Sequence, residues 1–144
     1  MSKSAEGALA ELFAAAKAAQ ANAYAPYSRF KVGAALRTRD GAVYTGVNLD
    51  AYLGRMAVCA EAVALGRAVV DIGDGGIETI VAVRHPPPGD KDQAIKVVSP
   101  CGACRELIFD YDAKARVIVP NGTAPAAVPI TELLPNKYTR GPER

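Results

Sequence analysis

The stretch Phe30-Lys-Val-Gly-Ala-Ala-Leu-Arg-Thr-Arg-Asp-Gly-Ala-Val-Tyr-Thr-Gly-Val-Asn48 decides the fold. Val32, Ala34 and Leu36 share one parity, the period of a strand that turns one face to a core. Arg39-Asp40-Gly41 is a turn signal, and Ala42 to Asn48 supplies the returning strand of a β-hairpin. Upstream, Ser4 to Ala23 is alanine-rich, with Leu9, Leu12, Phe13 and Ala16 at helical spacing. Ser4 reads as the N-cap of that helix and Pro26 stops its continuation. The alanine face suits close packing or assembly better than ligand binding.

Downstream of the hairpin, residues 49–57 are irregular. A second helix is expected over about Val58 to Val70, closed by Gly73. Glu78 to Arg84 reads as a buried strand around Ile80, Val81 and Val83. His85 to Gln93 holds three prolines and several charges, so it reads as a surface loop that carries a solvated His85. Pro100 precedes a third helix, Gly102 to Tyr111. Ala115 to Val119 is another strand, Val128 to Ile130 an edge strand, and Thr131 to Leu134 a helical turn. A helix between two strands favours a parallel crossover, and the hairpin adds an antiparallel edge. The expected fold is therefore α/β, a three-layer α/β/α sandwich on a mixed sheet of about five strands. Residues 1–144 read as one domain, with residues 1–23 as an N-terminal helix and 136–144 as a polar, loose tail.

Composition narrows the function. The chain has 144 residues, half of them hydrophobic, and 17 Lys and Arg against 15 Asp and Glu, a formal charge of +2. That balance carries no basic stripe for a polynucleotide, whose binding rests on phosphate contacts. No apolar run approaches the length of a membrane span, and the first residues lack the apolar core of a secretion signal. The chain reads as cytoplasmic, with a small-molecule partner and neither membrane nor polynucleotide. Three cysteines cannot all pair within one chain, and cytosolic thiols stay reduced.

Those cysteines carry the chemistry. Cys59-Ala-Glu61 opens one expected helix, and Cys101-Gly-Ala-Cys104 opens another straight after Pro100. Thiols at helix N-termini feel the positive end of the dipole, which favours thiolate. Two such ends at one sheet edge would bring three sulfurs together. Three protein ligands with a fourth position open is the coordination of a catalytic zinc. His85, the only histidine, lies far along the chain from both motifs and is a poor fourth ligand. Glu61, on the first helical turn beside a ligand, can pass protons between metal-activated water and a leaving group. Without the third cysteine and Glu61, Cys-x-x-Cys would read as a redox pair or as inert core thiols in preference to a zinc site. A closed structural zinc module would need a fourth ligand, and a thiol-redox protein would show a reversible Cys101–Cys104 disulfide.

Taken together, these motifs resemble the cytidine deaminase family, in its small three-cysteine zinc form. The resemblance rests on Tyr24-Ala-Pro-Tyr-Ser-Arg-Phe-Lys-Val-Gly-Ala-Ala-Leu36, Cys59-Ala-Glu61, Ser99-Pro-Cys-Gly-Ala-Cys-Arg105 and Leu133-Leu-Pro135. It implies that Cys59, Cys101 and Cys104 bind Zn2+ and that Glu61 is catalytic, serving water attack at C4 of the ring and protonation of N3 and of the departing ammonia. It also implies that Phe30 packs against the base, that the Ala60 N–H and Ser99 carbonyl contact the base edge, and that Asn48 contacts the sugar, with Asp50 in the place of a frequent family glutamate. Cytidine and deoxycytidine are the expected substrates, in pyrimidine salvage, and a homotetramer is the expected assembly. The chain departs from the family at Gly54, where a sugar-contacting tyrosine is usual. It departs again at Ala62, where many relatives have an arginine that offsets thiolate charge, and at Glu106, in place of glutamine. Thr45-Gly-Val-Asn48, Ala62 and Leu133-Leu-Pro-Asn-Lys-Tyr138 resemble blasticidin S deaminases instead, so a modified nucleoside or a free nucleobase is the alternative substrate.

Overall fold

The alanine-rich segment Ala5–Gln20 forms helix α1. It precedes strands β1 (Lys31–Thr38) and β2 (Val43–Val47), the two arms of the hairpin. Helix α2 (Ala60–Ile72), strand β3 (Ile77–His85), strand β4 (Lys96–Val98), helix α3 (Gly102–Tyr111), and strands β5 (Arg116–Val119) and β6 (Ala126–Pro129) follow. A 3-10 turn, Ile130–Leu133, comes after β6. This computed structural model describes residues 5–141, so the Ser4 cap lies outside the described residues.

The sheet has six strands, in the order β2-β1-β3-β5-β6 with β4 also on β3. β1 is antiparallel to both β2 and β3, and β3 and β5 are parallel, as the crossover through α3 requires. β4 is the strand missing from the sequence reading. It is three residues long, and it pairs antiparallel with the second half of β3, Val98 opposite Ala82. β4 and β5 thus share one edge of β3, end to end. That arrangement delivers the chain to Ser99 and Pro100 beside the middle of the sheet.

Both faces are covered. Leu12 and Ala16 of α1 pack on Ala35, Val81, Val83 and Ile118. Ala60, Ala64 and Ala68 of α2 and Ile108 of α3 pack on Val32, Ala34, Leu36 and Ile80. The parity expected for β1 holds: Val32, Ala34 and Leu36 face α2 and α3, and the alternate positions face α1. Two glycines set how closely the helices approach. A Cβ on Gly33 would strike the Ala16 carbonyl of α1, and a Cβ on Gly46 would lie 2.5 Å from the Ala64 nitrogen and 2.7 Å from the Ala60 oxygen of α2.

Two expectations need correction. His85 is the last residue of β3, opposite Lys31, rather than a solvated loop residue. Pairing with β1 extends the strand one residue into the proline-rich segment. Beyond Pro135, Lys137 is pinned rather than loose: its Nζ lies 2.6 Å from a Glu106 carboxylate oxygen and 5.2 Å from the centre of the Phe109 ring.

Candidate active site

Cys59 and Cys101 are the N-cap residues of α2 and α3, both with extended backbone and neither side chain spent on capping. Their sulfurs are therefore free to point together, and they lie 3.6 Å apart. Cys104, buried on the first turn of α3, completes a triangle whose sulfurs all lie within 4.8 Å of one another. Zinc–sulfur bonds of about 2.3 Å at tetrahedral angles put sulfurs about 3.8 Å apart, so this triangle is the right size for one zinc ion. An all-sulfur donor set suits a thiophilic cation, and three ligands leave one position open. His85 lies at the end of β3 and lines a different cavity, so it supplies no fourth ligand.

The helix-terminus effect reaches only one thiol. Burial alone would raise Cys101, but the Cys104 backbone N–H, the Cys59 and Cys104 thiols and the Ala103 N–H together bring it below the ordinary thiol value. Burial and the neighbouring Cys101 push Cys59 up. Burial and the Glu61 charge push Cys104 much further up. With alanine at position 62, no arginine follows Glu61 to favour the charged thiolates. Metal binding here must displace protons. Arg105 acts on the scaffold instead: its Nε donates to the Pro100 carbonyl at 2.9 Å, and a terminal nitrogen donates to the Leu133 carbonyl at 3.3 Å. It ties the turn before Cys101 to the segment after β6.

Glu61 is 6% exposed, and the Cys104 thiol donates to its Oε2 at 3.3 Å. Burial raises its carboxyl above the usual carboxylate range, against the pull of that thiol and of its own backbone N–H. A buried carboxyl whose proton affinity is raised in this way is better suited to exchanging protons than a free one. It faces a cavity of about 460 Å³ whose lining is mostly apolar, with Phe30, Val32, Ala57, Val58 and Val98 among the walls.

The expected catalytic, substrate-contacting and metal-binding residues, all but the buried Cys104, line this one cavity: Phe30, Asn48, Asp50, Cys59, Ala60, Glu61, Ser99 and Cys101. The polar groups of Asn48 and Asp50 are nevertheless engaged with the chain. Asn48 Nδ2 donates to the Phe30 carbonyl at 2.5 Å, and its Oδ1 accepts from the Val32 N–H at 2.8 Å. Asp50 Oδ2 accepts from the Tyr27 and Ser28 N–H groups at 2.9 and 3.0 Å. Both hold the 27–32 segment, and with it Phe30, against the cavity. Arg84 was missed: its guanidinium carbon lies 4.3 Å from the centre of the Phe30 ring. No periodicity in β3 distinguishes it from an ordinary surface arginine. Tyr52 lies outside the lining, edge-on to Tyr27 at 5.7 Å, and is 83% exposed.

Three thiols sized for zinc, a buried carboxyl beside them and a mostly apolar cavity on an α/β/α sheet are the parts of a zinc hydrolase site. The chain matches the family model for the cytidine and deoxycytidylate deaminase zinc-binding region over residues 8–120. It is 48% identical to a blasticidin-S deaminase of Bacillus cereus over 113 residues, 78% of this chain and 80% of that one. It is 39% identical to a cytidine deaminase of Sporosarcina psychrophila over 101 residues, 70% and 68% of the two chains. Among solved structures, the cytidine deaminase of Mycobacterium leprae superposes with a TM-score of 0.72 at 33% identity, covering 89% of this chain and 98% of that one. That of Burkholderia pseudomallei gives 0.73 at 34% identity, covering 90% and 98%. The chain belongs to the cytidine and deoxycytidylate deaminase family and is a zinc-dependent deaminase. No helix among the described residues is long and apolar enough to cross a membrane.

Proposed function

We propose that this chain hydrolyses the exocyclic amine of cytosine nucleosides, converting cytidine and deoxycytidine to uridine and deoxyuridine with release of ammonia. The observation that carries the reading is the placement of the Glu61 carboxyl, 3.3 Å from a sulfur of the metal triangle and at the wall of a cavity of about 460 Å³. Cys59, Cys101 and Cys104 hold the zinc. When bound, zinc supplies a Lewis acid that makes water a nucleophile at neutral pH. Glu61 accepts a proton from the attacking water and passes it to ring N3; it then takes the proton of the new C4 hydroxyl and delivers it to the amine, which leaves C4 as ammonia. Its raised carboxyl suits both halves of that exchange. Phe30 stacks on the base, and the Ala60 N–H and Ser99 carbonyl contact the base edge. The apolar walls exclude bulk water, so that each proton moves between fixed groups. Asn48 and Asp50 border the sugar and, through the 27–32 segment, hold Phe30 in place.

The whole chain acts as one deaminase domain in nucleoside salvage in the cytoplasm. We propose a homotetramer. The support is the exposed apolar row Leu49, Tyr52, Leu53 and Met56 beside the cavity mouth, 51–83% exposed, a cluster of the kind that marks association surfaces.

A second reading has its own support. The Bacillus cereus relative named a blasticidin-S deaminase is 48% identical, and this chain carries Thr45-Gly-Val-Asn48, Ala62 and Leu133-Leu-Pro-Asn-Lys-Tyr138. Values of kcat/KM measured in parallel on cytidine, deoxycytidine, cytosine and blasticidin S decide between the readings. The first predicts the natural nucleosides as the best substrates. Turnover confined to blasticidin S would replace it with the second.

A further inference from the structure

A second cavity, of about 480 Å³, opens on the α1 side of the sheet. Its lining includes Gln20 at the end of α1, Arg29, Lys31 and His85, with no carboxylate. Lys31 and His85 are direct partners across the β1–β3 ladder, a placement that brings side chains to within about 5 Å of one another. No acidic partner of Arg29, Lys31 or His85 appears among the described residues.

These side chains are not needed as helix caps. The Ala19 and Gln20 carbonyls at the end of α1 already accept from the Asn22 and Ala23 N–H groups, each at 3.0 Å. Gln20 is 5% exposed, yet its Oε1 has no hydrogen-bond partner. Buried polar atoms are seldom left so, and one at a cavity wall marks a place for a donor. His85 Nδ1 lies 2.7 Å from the Pro86 carbonyl, which can only accept, so Nδ1 carries the hydrogen and Nε2 is left for a ligand. Backbone alternation separates this cavity from the first: Arg29 and Lys31 line it, whereas Phe30 and Val32 line the substrate cavity.

We propose that this cavity binds a phosphate group. Arg29 and Lys31 donate to its oxygens, and Gln20 Oε1 and His85 Nε2 accept from its acidic protons or from a hydroxyl beside a phosphate ester. The bound anion would sit back to back with the substrate cavity, with the β1 backbone between them.

The test titrates the zinc-loaded full chain, desalted into phosphate-free buffer, with inorganic phosphate in one arm and adenosine monophosphate in the other. Calorimetry should give saturable single-site binding, and tighter binding of the nucleotide would identify a nucleotide as the source. The chain has one histidine, so its imidazole NMR signals report on the site without assignment, and they should shift at saturation. Arg29 has a φ of 58°, a conformation glycine adopts freely, so Arg29→Gly removes a charge without straining the fold. Combined with Lys31→Gln it should weaken binding by about tenfold or more, since charge-assisted contacts are the strong ones. Unsaturable binding, unmoved His85 signals, or wild-type affinity in the double variant would each reduce the finding to an adventitious ion only and overturn the proposal.

Discussion

Adding one methyl group at Gly46 should loosen the metal site without touching a ligand. A Cβ there would lie 2.5 Å from the Ala64 nitrogen and 2.7 Å from the Ala60 oxygen, against 3.4 Å or more for ordinary contact. Both atoms are backbone, so no side chain can swing aside, and α2 must withdraw by about 0.9 Å at the tighter contact. Cys59 and Glu61 travel with the start of α2, whereas Cys101 and Cys104 stay with α3. The Cys59–Cys101 separation of 3.6 Å then opens beyond the span that one tetrahedral zinc bridges comfortably. Overpacking of this kind costs about 1–3 kcal/mol. Expressed wholly in zinc affinity, that is about five- to 150-fold. Expressed in stability, it lowers the melting temperature by about 3–10 °C for a chain of this size. Competition with a chromophoric chelator measures the first and calorimetry the second. A Gly46→Ala protein with wild-type zinc affinity and melting temperature would refute the claim that close β2–α2 packing sets the triangle.

Glu61→Gln should keep its zinc and lose about a hundred- to ten-thousand-fold in kcat, the range for losing a general acid–base group; metal analysis and steady-state rates check this together. Asn48→Ala removes the acceptor of the Val32 N–H and a donor to the Phe30 carbonyl. It should cost about 1–3 kcal/mol in denaturant unfolding and raise KM as Phe30 loosens. Asp112 gives a pH prediction. Burial opposes its charge, but hydrogen bonds from Arg39 and from the Lys114 and Ile77 N–H groups hold it below the usual carboxylate range. Its folded pKa lies below its unfolded value of about 3.9, so its stabilisation is present above that pH and is lost as pH falls through the folded value. Melting temperature against pH should therefore fall less steeply below about pH 4 in Asp112→Asn than in wild type.

The hairpin and α3 were legible in the sequence because their signals are local: alternating apolar residues around a glycine turn, and a proline followed by a helical run. β4 was not legible. Three residues after a polar loop carry no period, and Lys96–Val98 becomes a strand only because the edge of β3 is free beyond β5. The three-cysteine ligand set was readable from spacing, but the Glu61–Cys104 contact was not. It depends on two helices that begin side by side on one sheet, 43 residues apart in sequence. Asn48 and Asp50 show a different limit. Sequence could bring them to the site, but not reveal that their polar atoms bond to backbone 16–23 residues away. Arg84 owes its place over Phe30 to register across β1 and β3, which no local pattern encodes.

The most direct test of the central claim couples metal content to ammonia release. Protein carrying one zinc per chain should convert cytidine or deoxycytidine with ammonia produced in step with the loss of cytosine absorbance. Removing the zinc with a chelator should abolish turnover, and restoring it should bring turnover back. Undiminished turnover after complete zinc removal, or no ammonia from either nucleoside at full zinc occupancy, would contradict the account.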